Sequence, residues 1–189
     1  MSTATAVPSS QLFNGIDRDL VITLATNIAE TEGFSNFKFR ANNQWINGSR
    51  SRTAIQGFYA GGKENTDRKQ PLYLDADQPH FLAGHNTSPN AVEHLLHALT
   101  SCLNTTLVYH ASVQEIELEE VNVKAEGDMN VKGYFGISDD VNRGYERIRV
   151  KMEVKSPETV ETLTKLAMHS PVYEVVSRSV PVDFEMVKL

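Results

Sequence analysis

A single cysteine, Cys102, is the most nucleophilic side chain in the sequence, and it lies among short polar residues. Its thiolate is the reactive form and can attack a peroxide or another electrophile. The neighbours are poor helix formers, because their side chains compete for backbone hydrogen bonds: Thr100, Ser101, Asn104, Thr105 and Thr106. Polar neighbours can hydrogen-bond a thiolate, although the residue type alone favours a structural cysteine. The alternative is a buried free cysteine that packs as a small apolar residue.

Two arginines and one glutamate are further charged residues on the predicted elements. Arg50 follows the turn signal Asn47-Gly48-Ser49, and Arg52 points to the same side if both lie in a strand. An exposed arginine near a turn is the ordinary case, although a guanidinium beside a sulfur would stabilise a thiolate. Glu93 precedes Cys102 by nine residues, about 900° of helix, so the two side chains point to opposite sides of one helix.

The histidines offer a weaker signal for metal binding. His94 and His97 are three residues apart on one predicted helix, within reach of a shared metal ion. Two histidines without a CxxC or HExxH spacing are an incomplete ligand set. We therefore predict neither a metal site nor a cofactor. Three further residues are expected either to line a pocket or to pack: Tyr109, His169 and Tyr173.

Cys102 belongs to a long predicted helix within Ser88–Val113. Apolar residues recur three and four positions apart, at Val92, Leu95, Leu96, Leu99, Leu103 and Leu107. Two N-terminal caps fit the sequence. Either Ser88 caps with Pro89 at the first helical position, or Asn90 and Glu93 form a capping box. The apolar stripe is too broad for one small sheet to cover, which predicts an obligate dimer.

Other elements surround this helix on both sides. A helix is predicted over 16–33, ending at Gly33, and strands are predicted within 37–60, around 71–74, 116–129, 147–154 and 180–187. A second helix is expected to start at Ser156-Pro157-Glu158, and Ser170-Pro171 interrupts and restarts it. Ser170 is therefore expected to cap a short helix. The order of helices and strands predicts an α+β fold with a mostly antiparallel sheet.

Composition excludes several classes of protein. The chain has 189 residues, a net charge of −6 and 40% hydrophobic residues, which predicts one domain without nucleic acid as a partner. No window approaches the ~18 consecutive apolar residues of a membrane span. One cysteine excludes a disulfide within the chain. The start, MSTATAVPSSQLFNG, has no basic or apolar region of a secretory signal, so residues 1–15 are expected to be a flexible tail of a cytoplasmic protein.

Three stretches resemble the OsmC/Ohr superfamily of osmotically inducible and organic hydroperoxide resistance proteins. They are SPNAVEHLLHALTSCLNTTLVYHA at 88–111, HSPVYEVVSRSVPVDF at 169–184 and WINGSRSRT at 45–53. The resemblance implies one OsmC-like domain over 16–189, in an intertwined homodimer with two long central helices wrapped by curved sheets. The helix within 16–33 is outside the common pattern.

The resemblance also implies a chemistry, thiol-dependent reduction of organic hydroperoxides in a stress or detoxification response. It places Cys102 at the peroxide-attacking cysteine, Arg50 at the supporting arginine and Glu93 at the supporting glutamate. The second cysteine of the family is Ser170 here, which cannot resolve a sulfenic acid. An external thiol then has to resolve Cys102. Two alternatives stay open: a protein that only binds a small apolar or electrophilic ligand at the dimer interface, and a disulfide between two copies of Cys102.

Overall fold

The computed structural model describes residues 12–189, which divide into two compact units. One unit holds the chain up to Val21 together with Leu96–Leu189, and the other holds Ile22–Leu95. Both contain helices or strands in the order expected of an α+β protein, and the predicted class is confirmed. The predicted tail, 1–15, falls mostly outside the described residues. Its last four residues, 12–15, are described and belong to a β-hairpin that starts at Leu12.

The elements follow in chain order: β1 (Leu12–Phe13), β2 (Ile16–Asp17), α1 (Arg18–Glu30), β3 (Asn42–Asn47), β4 (Arg50–Ile55), β5 (Phe58–Ala60), β6 (Lys63–Asn65), β7 (Leu72–Ala76), α2 (Ala91–Val113), β8 (Glu120–Met129), α3 (Val131–Tyr134), β9 (Tyr145–Lys155), α4 (Val160–Ala167), α5 (Pro171–Ser177) and β10 (Val182–Lys188).

Hydrogen bonds from the side chains of Asn14 and Ser112 fix the β1–β2 hairpin to the end of α2. The amide nitrogen of Asn14 donates to the Ile116 carbonyl at 2.9 Å and to the Ser112 hydroxyl at 3.3 Å. Its amide oxygen accepts the Leu118 N–H at 3.0 Å. Ser112 is buried and donates to the backbone carbonyl of Phe13. Asn14 thus satisfies backbone groups that follow the C-terminus of α2, which otherwise lack partners.

Helix α1 begins and ends close to the predicted bounds of 16–33. The Asp17 side chain accepts the Leu20 N–H at 3.0 Å and so caps the start of the helix. Helix α1 ends at Glu30, three residues before Gly33, which has a positive φ of 76°. No α1 residue is buried in the chain, and its apolar residues Leu20 and Leu24 are exposed.

Strands β3, β4 and β7 form an antiparallel sheet in the unit 22–95. The predicted turn at Asn47-Gly48-Ser49 joins β3 to β4, and Arg50 and Arg52 both lie in β4. The first strand of this sheet, β3, begins at Asn42, whereas the alternating pattern predicted a strand from Phe37. Phe39 stacks on Phe58 instead, with ring centroids 5.7 Å apart. In the first part of this segment, strand pairing is limited to one bridge between Lys38 and Tyr59, beside the aromatic contact.

The buried carboxylate of Asp77 ties together the loop that leads into α2. It accepts hydrogen bonds from the hydroxyls of Ser49 (2.6 Å) and Thr87 (2.9 Å), and from the N–H groups of Gln78 (2.8 Å), His85 (3.2 Å) and Thr87 (3.2 Å). These bonds, led by the one from Ser49, hold the pKa of Asp77 well below its usual value against the opposing effect of burial.

We expect D77N to lower the melting temperature at pH 7 by about 5 °C or more, because its amide N–H₂ replaces one carboxylate oxygen and faces at least two of the five donors. The charged form contributes stability above the unfolded pKa of about 3.9 and loses it as the pH falls toward the depressed folded pKa. The difference between D77N and the wild type should therefore shrink below about pH 4. Calorimetry checks both points, with D67N in an exposed loop as the control. Equal melting temperatures at pH 7 for D77N and the wild type would contradict this.

Helix α2 packs on the sheet β8–β9–β10 of its unit. The buried side of α2 carries Leu99, Leu103, Leu107 and Ala111. Strand β9 confirms the predicted alternation, since its inward residues are all buried: Ile148, Val150, Met152 and Val154. Strand β9 pairs antiparallel with β8 and parallel with β10. The core of this unit therefore lies between α2 and one face of a three-stranded sheet.

One local prediction around this core is wrong, and one element was not predicted. The unpredicted element is the short helix α3, which follows β8. Helix α4 begins after Thr159, whose side chain accepts the Thr162 N–H at 3.2 Å. Ser156, the predicted start, instead donates to the Glu117 carbonyl at 2.6 Å. Ser170 caps α5 as predicted, since its hydroxyl accepts the Tyr173 N–H at 3.2 Å.

Candidate functional site

Cys102 lies near the middle of α2 and is partly exposed. It is beside the buried leucine stripe, on the flank of α2 that also carries Leu95 and Tyr109, whose exposed fractions are 39% and 44%. A fully buried cysteine was the alternative interpretation, and this position does not support it. The Cys102 residue is therefore partly open to solvent in the single chain.

Most polar neighbours of Cys102 do not point their hydroxyls at the sulfur. Thr100 donates to the Leu96 carbonyl at 3.0 Å, and Ser101 donates to the Ala98 carbonyl at 3.3 Å. Such bonds to the preceding helical turn satisfy short polar side chains inside a helix. They explain how α2 stays helical around a run of poor helix formers.

Thr106 is the exception, one helical turn after Cys102. Its hydroxyl oxygen lies 4.0 Å from the Cys102 sulfur, at the long limit of a hydrogen bond to sulfur. On the neighbouring flank of α2 lies a shallow depression of about 270 Å³, lined by Thr100, Ser101, Asn104, Thr105 and Val123. The polar run therefore lines a surface next to Cys102 more than it surrounds the sulfur.

The two candidate arginines differ in how they are held. Arg52 forms a bidentate ion pair with Asp75, at 2.6 and 2.7 Å, and its guanidinium lies 5.4 Å from the ring centre of Tyr73. This pairing raises the pKa of Arg52 and lowers that of Asp75. Arg50 makes no ion pair within 4 Å among residues 12–189, although its charge also lowers the pKa of Asp75. Of the two, Arg50 has the guanidinium that is free to bind another anion.

Glu93 forms the capping box that starts α2. Its carboxylate accepts the Asn90 N–H at 2.7 Å, and the Asn90 side chain accepts the Glu93 N–H at 2.9 Å. This settles the two alternatives for the helix start in favour of Asn90. Helix α2 runs without a break from Ala91 to Val113, so Glu93 and Cys102 do point to opposite sides of it.

The histidines are used for structure in the part of the chain that is described. His94 donates through Nε2 to the Asp75 carbonyl at 2.9 Å, since a carbonyl only accepts. No group of three or more potential ligands that could hold a metal ion occurs among residues 12–189. His110 stacks on His169, with ring centres 4.6 Å apart and planes at 23°. The sequence pattern did not predict this contact, because 59 residues separate the two histidines.

Ser170 occupies the place where the resemblance puts a second cysteine. It is fully buried, and its hydroxyl caps α5. The structure therefore gives Ser170 a local role in stabilising a helix start. No other thiol is present in the sequence to take the place of a resolving cysteine.

These features define the chain as an α+β protein with one accessible cysteine in the middle of a long helix. The chain belongs to the OsmC-like protein family, whose sequence model matches residues 84–185. The match includes Cys102 and Ser170 and begins after Arg50 and Arg52. The resemblance to this family is thereby confirmed.

Solved structures of the family share the fold. An OsmC-like protein from Mycoplasma pneumoniae aligns with a TM-score of 0.62 at 13% identity, over 80% of this chain and 97% of its own. An organic hydroperoxide resistance protein OsmC from Legionella pneumophila has a TM-score of 0.52 at 16% identity, over 78% and 96%. An OsmC-like protein of unknown function from Vibrio cholerae has a TM-score of 0.57 at 14% identity, over 79% and 99%.

No curated protein sequence matches this chain. At identities below 20%, the structural neighbours show the fold alone. In residues 12–189 there is no helix with the length and apolar character that crossing a bilayer requires.

Proposed function

We propose that this protein reduces organic hydroperoxides through Cys102, in a stress or detoxification response, and that an external thiol completes each cycle. The observation that carries the proposal is the accessible sulfur in the middle of α2, within the segment that matches the family. The name of the Legionella pneumophila neighbour, an organic hydroperoxide resistance protein, supports the substrate class. The proposed location is the cytoplasm, where small thiols are kept reduced.

The proposed cycle balances with one cysteine. The Cys102 thiolate attacks one peroxide oxygen, the O–O bond breaks, and the alcohol leaves with a proton as the sulfenic acid forms. An external thiol attacks the sulfenic sulfur, releases water and leaves a mixed disulfide. A second external thiol then frees Cys102 and departs as the oxidised disulfide.

Arg50 is the proposed partner of the thiolate and the peroxide. Its guanidinium has no carboxylate partner within 4 Å in the described chain, whereas that of Arg52 is bound to Asp75. A free, permanently charged fork can stabilise both the thiolate and the negative oxygen that develops as the O–O bond breaks.

A homodimer is the proposed working form. One face of the β3–β4–β7 sheet carries large apolar residues that stay exposed in the single chain, Trp45 at 69%, Leu72 at 57% and Leu74 at 44%. Apolar area of this kind usually marks an interface. Light scattering should give twice the mass of the chain at low micromolar concentration. A monomer at that concentration would exclude an obligate dimer.

Glu93 is proposed to act on Cys102 of the partner chain, because it points away from the cysteine of its own helix. E93Q tests this, since a glutamine oxygen still accepts the Asn90 N–H while the charge is lost. We expect E93Q to keep the melting temperature within about 2 °C and to lower kcat/KM for hydroperoxide by about tenfold to a hundredfold. Wild-type kcat/KM in E93Q would leave Glu93 with the capping role alone.

Mass spectrometry after treatment with cumene hydroperoxide tests the proposed chemistry directly. We expect one oxygen on Cys102, trapped as a dimedone adduct, and its disappearance when a monothiol is added first. S101A is the matched control, because the Ser101 hydroxyl is bonded to the helix backbone. An unmodified Cys102 under these conditions would refute the proposal.

A second candidate function is binding without turnover, and the buried cap at Ser170 favours it. A chain without a resolving cysteine can keep the interface pocket of the family for a small apolar or electrophilic ligand. The two functions separate in a steady-state assay. Continuous consumption of hydroperoxide with a thiol reductant, at catalytic amounts of protein, rules out the binding module.

A further inference from the structure

The stacked imidazoles of His110 and His169 join two elements of the α2 unit. His110 is in the last turn of α2, and His169 immediately precedes Ser170, the cap of α5. The ring centres are 4.6 Å apart. Among the described residues, neither ring makes a hydrogen bond, and no carboxylate lies within 4 Å of either. The contact therefore depends on the packing of the two rings alone.

The charged side chains carried by the neighbouring elements are already paired. The acidic residues closest along α2, α4 and α5 each have a basic partner: Glu115 with Arg18, Glu161 with Lys165, and Glu174 with Arg178. His169 is the one charged group whose Coulomb effect on His110 is resolved. No free carboxylate on these elements is therefore in place to neutralise a pair of imidazolium rings.

We propose that the His110–His169 stack is a pH-sensitive latch, which holds the start of α5 against α2 at neutral pH and releases it in acid. Two neutral rings, or one neutral and one charged ring, pack favourably face to face. Two imidazolium rings at 4.6 Å repel one another, with no counter-charge nearby. The second protonation therefore breaks the contact.

The direction of the pH dependence follows from His110. Burial, and then the positive charge of His169, lower the pKa of His110 below its usual value. Between the depressed folded pKa and the unfolded value of about 6.5, the unfolded chain binds more protons than the folded one. Stability of the contact is thus full above about pH 7 and is lost as the pH falls through this range.

The latch lies on the same row of α2 as the cysteine. Cys102, Thr106 and His110 follow at four-residue steps, so His110 is two turns, or about 12 Å, beyond Cys102. The segment that the latch holds includes Ser170 and Tyr173. Release of this segment in acid would increase the exposure of the α2 surface next to His110. If the proposed hydroperoxide chemistry holds, the latch makes the surroundings of that site responsive to pH. The latch itself does not depend on that chemistry.

Hydrogen exchange of the full chain at pH 7.5 and pH 5.5 tests the latch. After correction for the intrinsic rates, we expect exchange in residues 168–173 of the wild type to rise at least severalfold at pH 5.5, because the lowered pKa of His110 makes the released state bind more protons. H169F keeps a ring to stack and cannot take a proton, so the repulsion is lost and only the burial of His110 still lowers its pKa. Its rise in exchange should therefore be clearly smaller than that of the wild type. H110F removes the buried imidazole and should show equal exchange at both pH values, and H97F should retain the wild-type response.

The result that overturns the latch is wild-type exchange in 168–173 that is the same at both pH values. A wild-type response that persists undiminished in H169F or H110F overturns it as well. Should either variant fail to fold, the wild-type measurement still decides. No hydroperoxide enters this experiment, so a failure of the latch and a failure of the proposed function are distinguishable.

Discussion

C102S is expected to abolish the consumption of cumene hydroperoxide, with a loss of at least about a thousandfold in kcat/KM. A serine hydroxyl at neutral pH is a far weaker nucleophile than a thiolate, and no other thiol is present in the chain to replace it. The substitution exchanges one small side chain for another at a partly exposed position. We therefore expect the fold and the melting temperature to stay close to those of the wild type.

The measurement is peroxide loss with a monothiol reductant, followed with purified C102S, wild type and S101A. S101A changes the neighbouring side chain and should keep kcat/KM within about twofold, because its hydroxyl serves only the helix backbone. Residual turnover in C102S above one tenth of the wild-type value would mean that Cys102 is not the nucleophile.

R50A is expected to lower kcat/KM for hydroperoxide by about a hundredfold, the usual effect of removing one donor that stabilises developing negative charge. The guanidinium of Arg50 is the one in strand β4 without a carboxylate partner within 4 Å. In the proposed mechanism, removing it takes away the charge assigned to the thiolate and to the peroxide oxygen. R50K should recover only part of the loss, because a lysine lacks the planar fork.

R52A is the matched control for R50A, two residues along the same strand and on the same side. Arg52 is engaged by Asp75 and lies over the ring of Tyr73, so its loss should leave kcat/KM within about threefold. Steady-state kinetics at several peroxide concentrations separate kcat from KM for each variant. If R52A loses a hundredfold in kcat/KM while R50A keeps wild-type kinetics, Arg52 and not Arg50 is the arginine that assists Cys102.

The sequence predicted those elements whose signals are local. The capping box at Asn90 and Glu93, the hairpin turn at Gly48, the alternation of β9 and the cap at Ser170 each depend on residues within a few positions of one another. Such signals involve short-range hydrogen bonds or a simple period, and the structure contains all four.

The remaining features depend on residues that are distant in sequence. Asp77 gathers donors from a turn almost thirty residues earlier and a loop ten residues later, and His110 meets His169 only when α2 and α5 pack. The start of α4 moved from Ser156 to Thr159 because the Ser156 hydroxyl bonds to Glu117 on another segment. No periodicity encodes these contacts. For the candidate site, the sequence identified Cys102, but not that the hydroxyls beside it bond to their own helix.

The Asn14 anchor has a consequence for the order in which the chain folds. Its hydrogen bonds connect residues 98 to 104 positions apart, so they close a very long loop. Closing such a loop is costly in chain entropy until both ends are already ordered. The β1–β2 hairpin should therefore dock late, after the end of α2 has formed. The Leu118 amide is protected by Asn14 and should be among the last amides of this unit to resist exchange during refolding. When the hydrogen bonds of Asn14 break, α2 should fray first at Ser112.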